Sequence, residues 1–140
     1  MDISSQQSPD PSVPNPRLRA LVVDDEALIR WSVAETLAAL ELDVAQAADA
    51  AGALDVITGA TAPFDIVVLD LRLPDVNDLS LLARVRQLLP DAYVVVMTAF
   101  GTPELLAEAV AIGTHGVLQK PFELEELRRL LSHRSGTTTS

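Results

Sequence analysis

Short apolar runs alternate with stretches of helical spacing along the chain. Residues 20–23 form a run rich in β-branched side chains, and Ile29, Val33, Leu37 and Leu40 then recur at helical spacing. Residues 44–47 are a weaker, shorter run. Asp49 is placed to cap a helix over residues 50–58. Residues 66–69 are a third run, followed by a helical pattern over 78–89. Residues 93–97 are the most β-like stretch in the chain. Thr102 can cap the next helix, with Pro103 at its first position and Glu104 in its first turn. Gly113 ends that helix. Val117 and Leu118 form a last short strand that Pro121 stops, and Leu124, Leu127, Leu130 and Leu131 line a final amphipathic helix.

Strand and helix thus alternate five times. That pattern predicts an α/β fold, a five-stranded parallel sheet with helices on both faces. Right-handed crossovers leave few topologies. The order 2-1-3-4-5 puts the second and fifth strands, the two weakest signals, at the edges.

Outside this pattern lie two polar ends. Residues 1–17 hold Pro9, Pro11, Pro14 and Pro16 among Ser, Gln, Asp and Asn, and read as a disordered or extended tail. Residues 132–140 are polar without a period and read as a second tail, which leaves residues 18–131 as one folded domain.

Composition narrows the chemistry. Ten Lys and Arg against twenty Asp and Glu give a net charge of −10. That balance argues against direct nucleic-acid binding, which needs a basic patch, and against docking to an anionic membrane. The absence of cysteine removes disulfides and thiol chemistry, and two histidines cannot make a multi-histidine metal site. The apolar runs are too short for a membrane span, and no signal-peptide pattern opens the chain. A cytoplasmic domain is the expectation.

In sheets of this kind, chemistry lies at the carboxyl ends of the strands. The first strand is followed by Asp24, Asp25 and Glu26, the third by Asp70, the fourth by Thr98 and the fifth by Lys120. Carboxylates so close together repel, and a divalent cation relieves that repulsion. Oxygen ligands alone favour Mg²⁺, with Ca²⁺ or Mn²⁺ also open. Lys120 supplies a point charge for an anionic group and Thr98 one hydrogen bond. The set suits a carboxylate nucleophile attacking a phosphoryl group. Each residue alone has a plainer role: an aspartate after a strand is commonly a turn or cap residue, and a lysine before proline is commonly on the surface. Their meeting on one rim carries the argument.

The segments VVDDE (22–26), VVLDLRLPD (67–75), VVVMTAFG (94–101) and QKPF (119–122) match in order, spacing and type. On these the chain resembles a bacterial two-component response-regulator receiver domain over residues 19–131, with the flavodoxin-like order already inferred. MTAFG and QKPFELEEL are most similar to receivers of sigma-54-activator regulators. The resemblance implies that Asp70 is the phosphoacceptor. It implies that Asp25, Asp70 and the backbone carbonyl of Arg72 bind Mg²⁺ directly, and that Asp24 acts largely through water. Lys120 would pair with the phosphoryl group, and Thr98 would hydrogen-bond it and shift on phosphorylation. The Lys120–Pro121 peptide would be cis. The donor would be a phosphohistidine on a sensor histidine kinase or histidine phosphotransfer protein.

Three departures from the family pattern matter. Val117 stands where an aromatic partner of the threonine is usual, so movement of Thr98 must pass through the loop or through packing. Asn77-Asp78 replaces an acidic-glycine pair, and both residues tolerate left-handed backbone. Arg72 and Phe100 occupy positions that tune loss of the phosphoryl group, and two bulky side chains there predict a long-lived phosphorylated state.

Other residues have two readings each. Trp31 lies off the apolar stripe of the first helix, as a half-buried spacer or as an anchor for the kinase. His115 reads as a turn residue and His133 as a solvated one. Glu123, Glu125 and Glu126 suit the positive end of the last helix, and Arg128, Arg129 and Arg134 its negative end. The arginines can also meet a partner, including a second copy, at the face of the fourth helix, fifth strand and fifth helix. With only a short tail after the last helix, output through protein contact is expected, unless the chain is one part of a larger transcription regulator. A receiver that binds partners without phosphorylation is the alternative. A phosphatase with an aspartate nucleophile would carry a second acid two residues on, where this chain has Arg72, so a true enzyme is not expected. A flavin or nucleotide binder would carry a Gly-rich phosphate loop in place of Asp24 and Asp25.

Overall fold

The computed structural model describes residues 17–139. The expected tail over residues 1–17 falls outside the described residues except for Arg17. The elements alternate as β1 (Arg19–Val23), α1 (Ala27–Ala39), β2 (Asp43–Ala47), α2 (Ala50–Gly59), β3 (Ile66–Asp70), α3 (Ser80–Leu88), β4 (Tyr93–Thr98), α4 (Pro103–Ile112), β5 (Gly116–Gln119) and α5 (Leu124–Thr139). The strands form one sheet in the order β2-β1-β3-β4-β5, every neighbouring pair parallel.

The period of two along each strand divides the core between two faces. Leu21, Val23, Val67, Leu69, Val94 and Val96 point to α2, α3 and α4, where Ala53, Ile57, Leu82, Val85 and Ala109 cover them. Ala20, Val22, Val68, Val95 and Met97 point the other way, against Val33 and Leu37 of α1 and Leu127 and Leu131 of α5. Burial of both faces explains why β1, β3 and β4 are continuous apolar runs.

The caps follow local chemistry. The Asp49 carboxylate accepts from the N–H of Gly52 at 2.7 Å, and the Thr102 hydroxyl from that of Leu105 at 3.1 Å. Gly113, at φ 131, takes a backbone conformation that a side chain disfavours and ends α4.

Two local readings are corrected. The third helix begins at Ser80 rather than 78, because the Asp78 carboxylate accepts from the Ser80 N–H at 3.0 Å and holds a turn ahead of it. The loop expected to survive the Asn77-Asp78 replacement forms without left-handed backbone at either residue; ahead of it Leu73 and Val76 exchange backbone bonds of 2.8 and 3.2 Å. The last helix continues to Thr139 through most of the stretch expected as a polar tail, residues 132–140, of which residue 140 lies outside the described residues. Extending a formed helix adds a hydrogen bond per residue and needs no apolar stripe, so periodicity marked only its packed part. No helix among the described residues is long and apolar enough to cross a membrane.

Candidate functional site

The rim at the carboxyl ends of the strands is where the topology gathers polar side chains. Asp24 follows β1 directly and is fully buried. Asp70 and Thr98 are the last residues of β3 and β4, both buried. Lys120 follows β5, its amide donating to the Thr98 carbonyl at 2.8 Å. Asp25 and Glu26 are exposed at the start of α1. An open cleft of about 300 Å³ lies between Asp25, Asp70, Arg72, Pro74, Ala99 and Lys120.

Lys120 is the hub. Its Nζ lies 2.8 Å from Asp70 Oδ2, 2.7 Å from Glu26 Oε1 and 2.9 Å from Asp24 Oδ2. Burial disfavours its charged form, but hydrogen bonds to Asp70 and Glu26 and the Asp24 carboxylate beside them outweigh that and hold the ammonium well above the usual lysine range. Asp70 is fixed from both sides, since its Oδ1 accepts from the Arg72 N–H at 2.9 Å. Asp24 Oδ1 accepts from the Glu26 N–H at 2.8 Å. Asp24 Oδ2 touches the ammonium in distance but is not aligned with it as a hydrogen bond, and among the described residues it has no other partner. Burial first, and the nearby Asp70 charge after it, push the Asp24 carboxyl above its ordinary range; the Glu26 N–H and Lys120 pull against them.

One carboxylate oxygen each from Asp24, Asp25 and Asp70 lies within 4.8 Å of the others. Three hard oxygen donors, one of them buried without an aligned proton, fit a divalent cation of the Mg²⁺ class. A single lysine leaves this group of acids with an excess of negative charge.

The remaining expected residues frame the cleft. The Thr98 hydroxyl accepts from the Phe100 N–H at 3.2 Å, so its present position belongs to the loop after β4. Arg72 lies over the Phe100 ring, 5.2 Å from its centroid, and both side chains are exposed. The Lys120–Pro121 peptide is cis. Val117 pairs with Val96 while Thr98 pairs with Gln119. Val117 therefore lies on the face of Thr98, two register positions further from the cleft.

Two contributors escaped the sequence reading. Arg30 reaches back from α1 and donates to the Asp24 carbonyl at 2.8 Å, and Asp75 joins the loop after β3 to α2. A basic residue one turn into a helix that follows an acidic strand end is the signal for Arg30. The bond of Asp75 spans 25 residues and has no local signature.

Comparison with known proteins places this geometry. The response regulator receiver domain family matches residues 20–132. The response regulator protein PilR of Pseudomonas aeruginosa is 35% identical over 116 residues, covering 83% of this chain and 26% of PilR. Sporulation initiation phosphotransferase F of Bacillus subtilis is 30% identical over 110 residues, covering 79% of this chain and 87% of that protein. The chain thus spans about a quarter of the length of PilR and most of the smaller relative. Among solved structures, the Vibrio cholerae chemotaxis protein CheY4 superposes with a TM-score of 0.75 at 30% identity, covering 84% of this chain and 98% of that one. A response regulator protein from Burkholderia pseudomallei, solved with a phosphorylated aspartic acid, a calcium ion and citrate, gives 0.74 at 27% identity over 87% of this chain and 71% of that one. The sheet order, the acidic rim and the matched span agree, and the chain belongs to the response regulator receiver domain family of two-component signalling.

Proposed function

We propose that the chain is a phosphorylation-dependent signalling switch in which Asp70 accepts a phosphoryl group. The observation that carries this is the single cation, Lys120, shared among Asp70, Asp24 and Glu26 beside an open cleft. An Asp70 carboxylate oxygen attacks phosphorus, the N–P bond of a phosphohistidine breaks, and the imidazole leaves and takes up a proton. An acyl phosphate on Asp70 results. Asp25, Asp70 and the Arg72 carbonyl would hold Mg²⁺, with Asp24 behind them. Bound there, Mg²⁺ neutralises charge on the phosphoryl oxygens. Lys120 exchanges carboxylate contacts for phosphoryl oxygen, and the Thr98 hydroxyl turns from the Phe100 N–H to donate to the same group.

Output follows from packing. A side-chain carbon placed on Gly101 would stand 3.0 Å from both Thr98 Cγ2 and Leu106 Cδ2. The loop therefore fills the space between Thr98 and α4, and movement of Thr98 displaces α4 without an aromatic residue at Val117. The face of α4, β5 and α5 then changes toward a protein partner, a second copy or the remainder of a larger regulator. Receiver domains take phosphoryl groups from sensor kinases or phosphotransfer proteins, and this reading gives the chain such a donor and a cytoplasmic site of action. The chain promotes its own phosphorylation and dephosphorylation and turns over no separate substrate.

The test is incubation with acetyl phosphate or phosphoramidate and Mg²⁺, read by intact mass. Wild type gains one phosphoryl group and Asp70→Asn gains none. A wild type that stays unmodified while binding Mg²⁺ would favour the phosphorylation-independent alternative.

A further inference from the structure

We infer that Asp75 is a positioning residue, tying the loop after β3 to the start of α2 so that the Arg72 carbonyl is held for the divalent cation. Both carboxylate oxygens are engaged: Oδ1 accepts from the Ala50 N–H at 2.9 Å and Oδ2 from the Ala51 N–H at 3.0 Å. These are the first two residues of α2, whose amides have no partner inside the helix. Asp49 takes the third, from Gly52, so three amides at this end are satisfied by two carboxylates. The pairing joins segments 25 and 24 residues apart, so the Ala50 and Ala51 amides find these partners with the loop in place, while Asp49 caps Gly52 locally.

The loop is a short span fixed at both ends. Asp70 closes β3 and takes the Arg72 N–H, Leu71 and Leu73 are buried in the core, and Leu73 and Val76 exchange backbone bonds. Pro74 and Asp75 lie at the tip of that turn. Asp75 links the tip to α2 by two hydrogen bonds. Those two bonds hold its carboxyl below the usual carboxylate range, so it is ionised at neutral pH and suits the positive end of α2. Mg²⁺ tolerates little departure from ideal geometry, and a backbone carbonyl ligand can only be placed by the loop that carries it. Residues that orient ligands without touching the metal matter for that reason.

This inference rests on the proposed Mg²⁺ site, and the experiment separates the two. Mg²⁺ is titrated by calorimetry into wild type, Asp75→Ala and Asp75→Asn, with amide hydrogen exchange followed over residues 50–51 and 71–76. The expected result is a Kd about tenfold weaker in Asp75→Ala, with faster exchange in both segments. Asp75→Asn falls between, because its amide oxygen keeps one of the two bonds, and it serves as the readout where Asp75→Ala does not fold. Variants that melt lower yet bind Mg²⁺ as wild type does would overturn the inference and leave Asp75 a cap of α2. A wild type that binds no Mg²⁺ would instead overturn the site itself, and this inference with it.

Discussion

Lys120 and Asp70, 50 residues apart, meet at 2.8 Å between Nζ and Oδ2, and both side chains are nearly buried. The same ammonium holds Asp24, which is fully buried, and Glu26, which is more than half exposed. The cation therefore holds together a rim that would otherwise repel itself.

Lys120→Ala should lower thermal stability in Mg²⁺-free buffer. Removing one partner of a buried pair costs about 3–5 kcal/mol, because the remaining charges stay buried. Added Mg²⁺ should recover a large part of the loss, since it neutralises the same acids. Glu26→Gln removes a contact of an exposed side chain, worth less than about 1 kcal/mol. Melting curves with chelator and with Mg²⁺ check both. Equal melting of Lys120→Ala and wild type in chelator would refute the role given to the lysine.

Much of this was legible because the relevant signals are local. Asp49 before a helical pattern, Thr102 followed by Pro103, and Gly113 after Ile112 are nearest-neighbour chemistry, and each holds the predicted position. The acids after β1 and at the end of β3 were legible because a parallel sheet sends all its strand ends to one rim. What escaped depends on tertiary contact. Asp75 reaches Ala50 and Ala51 across the fold, and Arg30 reaches back to a backbone carbonyl. Glu41 adopts φ 66 in the turn between α1 and β2, a conformation a glutamate does not advertise. The run of α5 to Thr139 carries no apolar pattern and so had no period to read.

Arg72 lines the cleft, and its guanidinium lies over the Phe100 ring, a pair placed to screen the acceptor from water. Screening water from an acyl phosphate slows its hydrolysis. An exposed cation–π contact is worth about 0.5–1 kcal/mol, which sets the scale of a two- to fivefold effect on rate, roughly. Phe100→Ala should speed loss of the phosphoryl group by that factor, Arg72→Ala by a similar one, and the double variant by less than the product. Dephosphorylation followed by intact mass checks this; rates unchanged in both single variants would count against a screen.

The far end of the sheet carries a pH response. His115 Nδ1 accepts from the Val94 N–H at 3.0 Å, while the His115 N–H donates to the Val94 carbonyl at 2.7 Å. The ring stacks on Tyr93 with centroids 4.6 Å apart. A proton on Nδ1 would oppose the Val94 N–H. Burial first, then the Arg86 charge, lower the imidazole below its usual value near 6.5. Below about pH 6.5 the unfolded chain therefore binds more protons than the folded one, and stability falls as pH drops. Above that value this histidine contributes no slope. Urea midpoints from pH 7.5 down to 5 should converge between wild type and His115→Gln if the wild type starts higher. Parallel curves would remove His115 from the response.

Trp31 is 57% exposed on α1 and Leu28 beside it 74%. Next to them an apolar groove runs between Ile29 and Val33 of α1 and Pro121 and Phe122 after β5, with Lys120 at its edge. A large aromatic beside such a groove, adjoining the acceptor cleft, suits an anchor for the protein that delivers the phosphoryl group. Trp31→Ala should leave stability within about 0.5 kcal/mol, because the side chain covers little core. It should leave phosphorylation by acetyl phosphate unchanged, since that donor needs only the cleft. Transfer from a phosphohistidine protein should slow about tenfold, the scale of a truncated aromatic anchor. The two donors measured side by side decide the matter. Equal slowing with both would place the effect in the cleft, and no slowing with either would leave Trp31 a spacer on the helix.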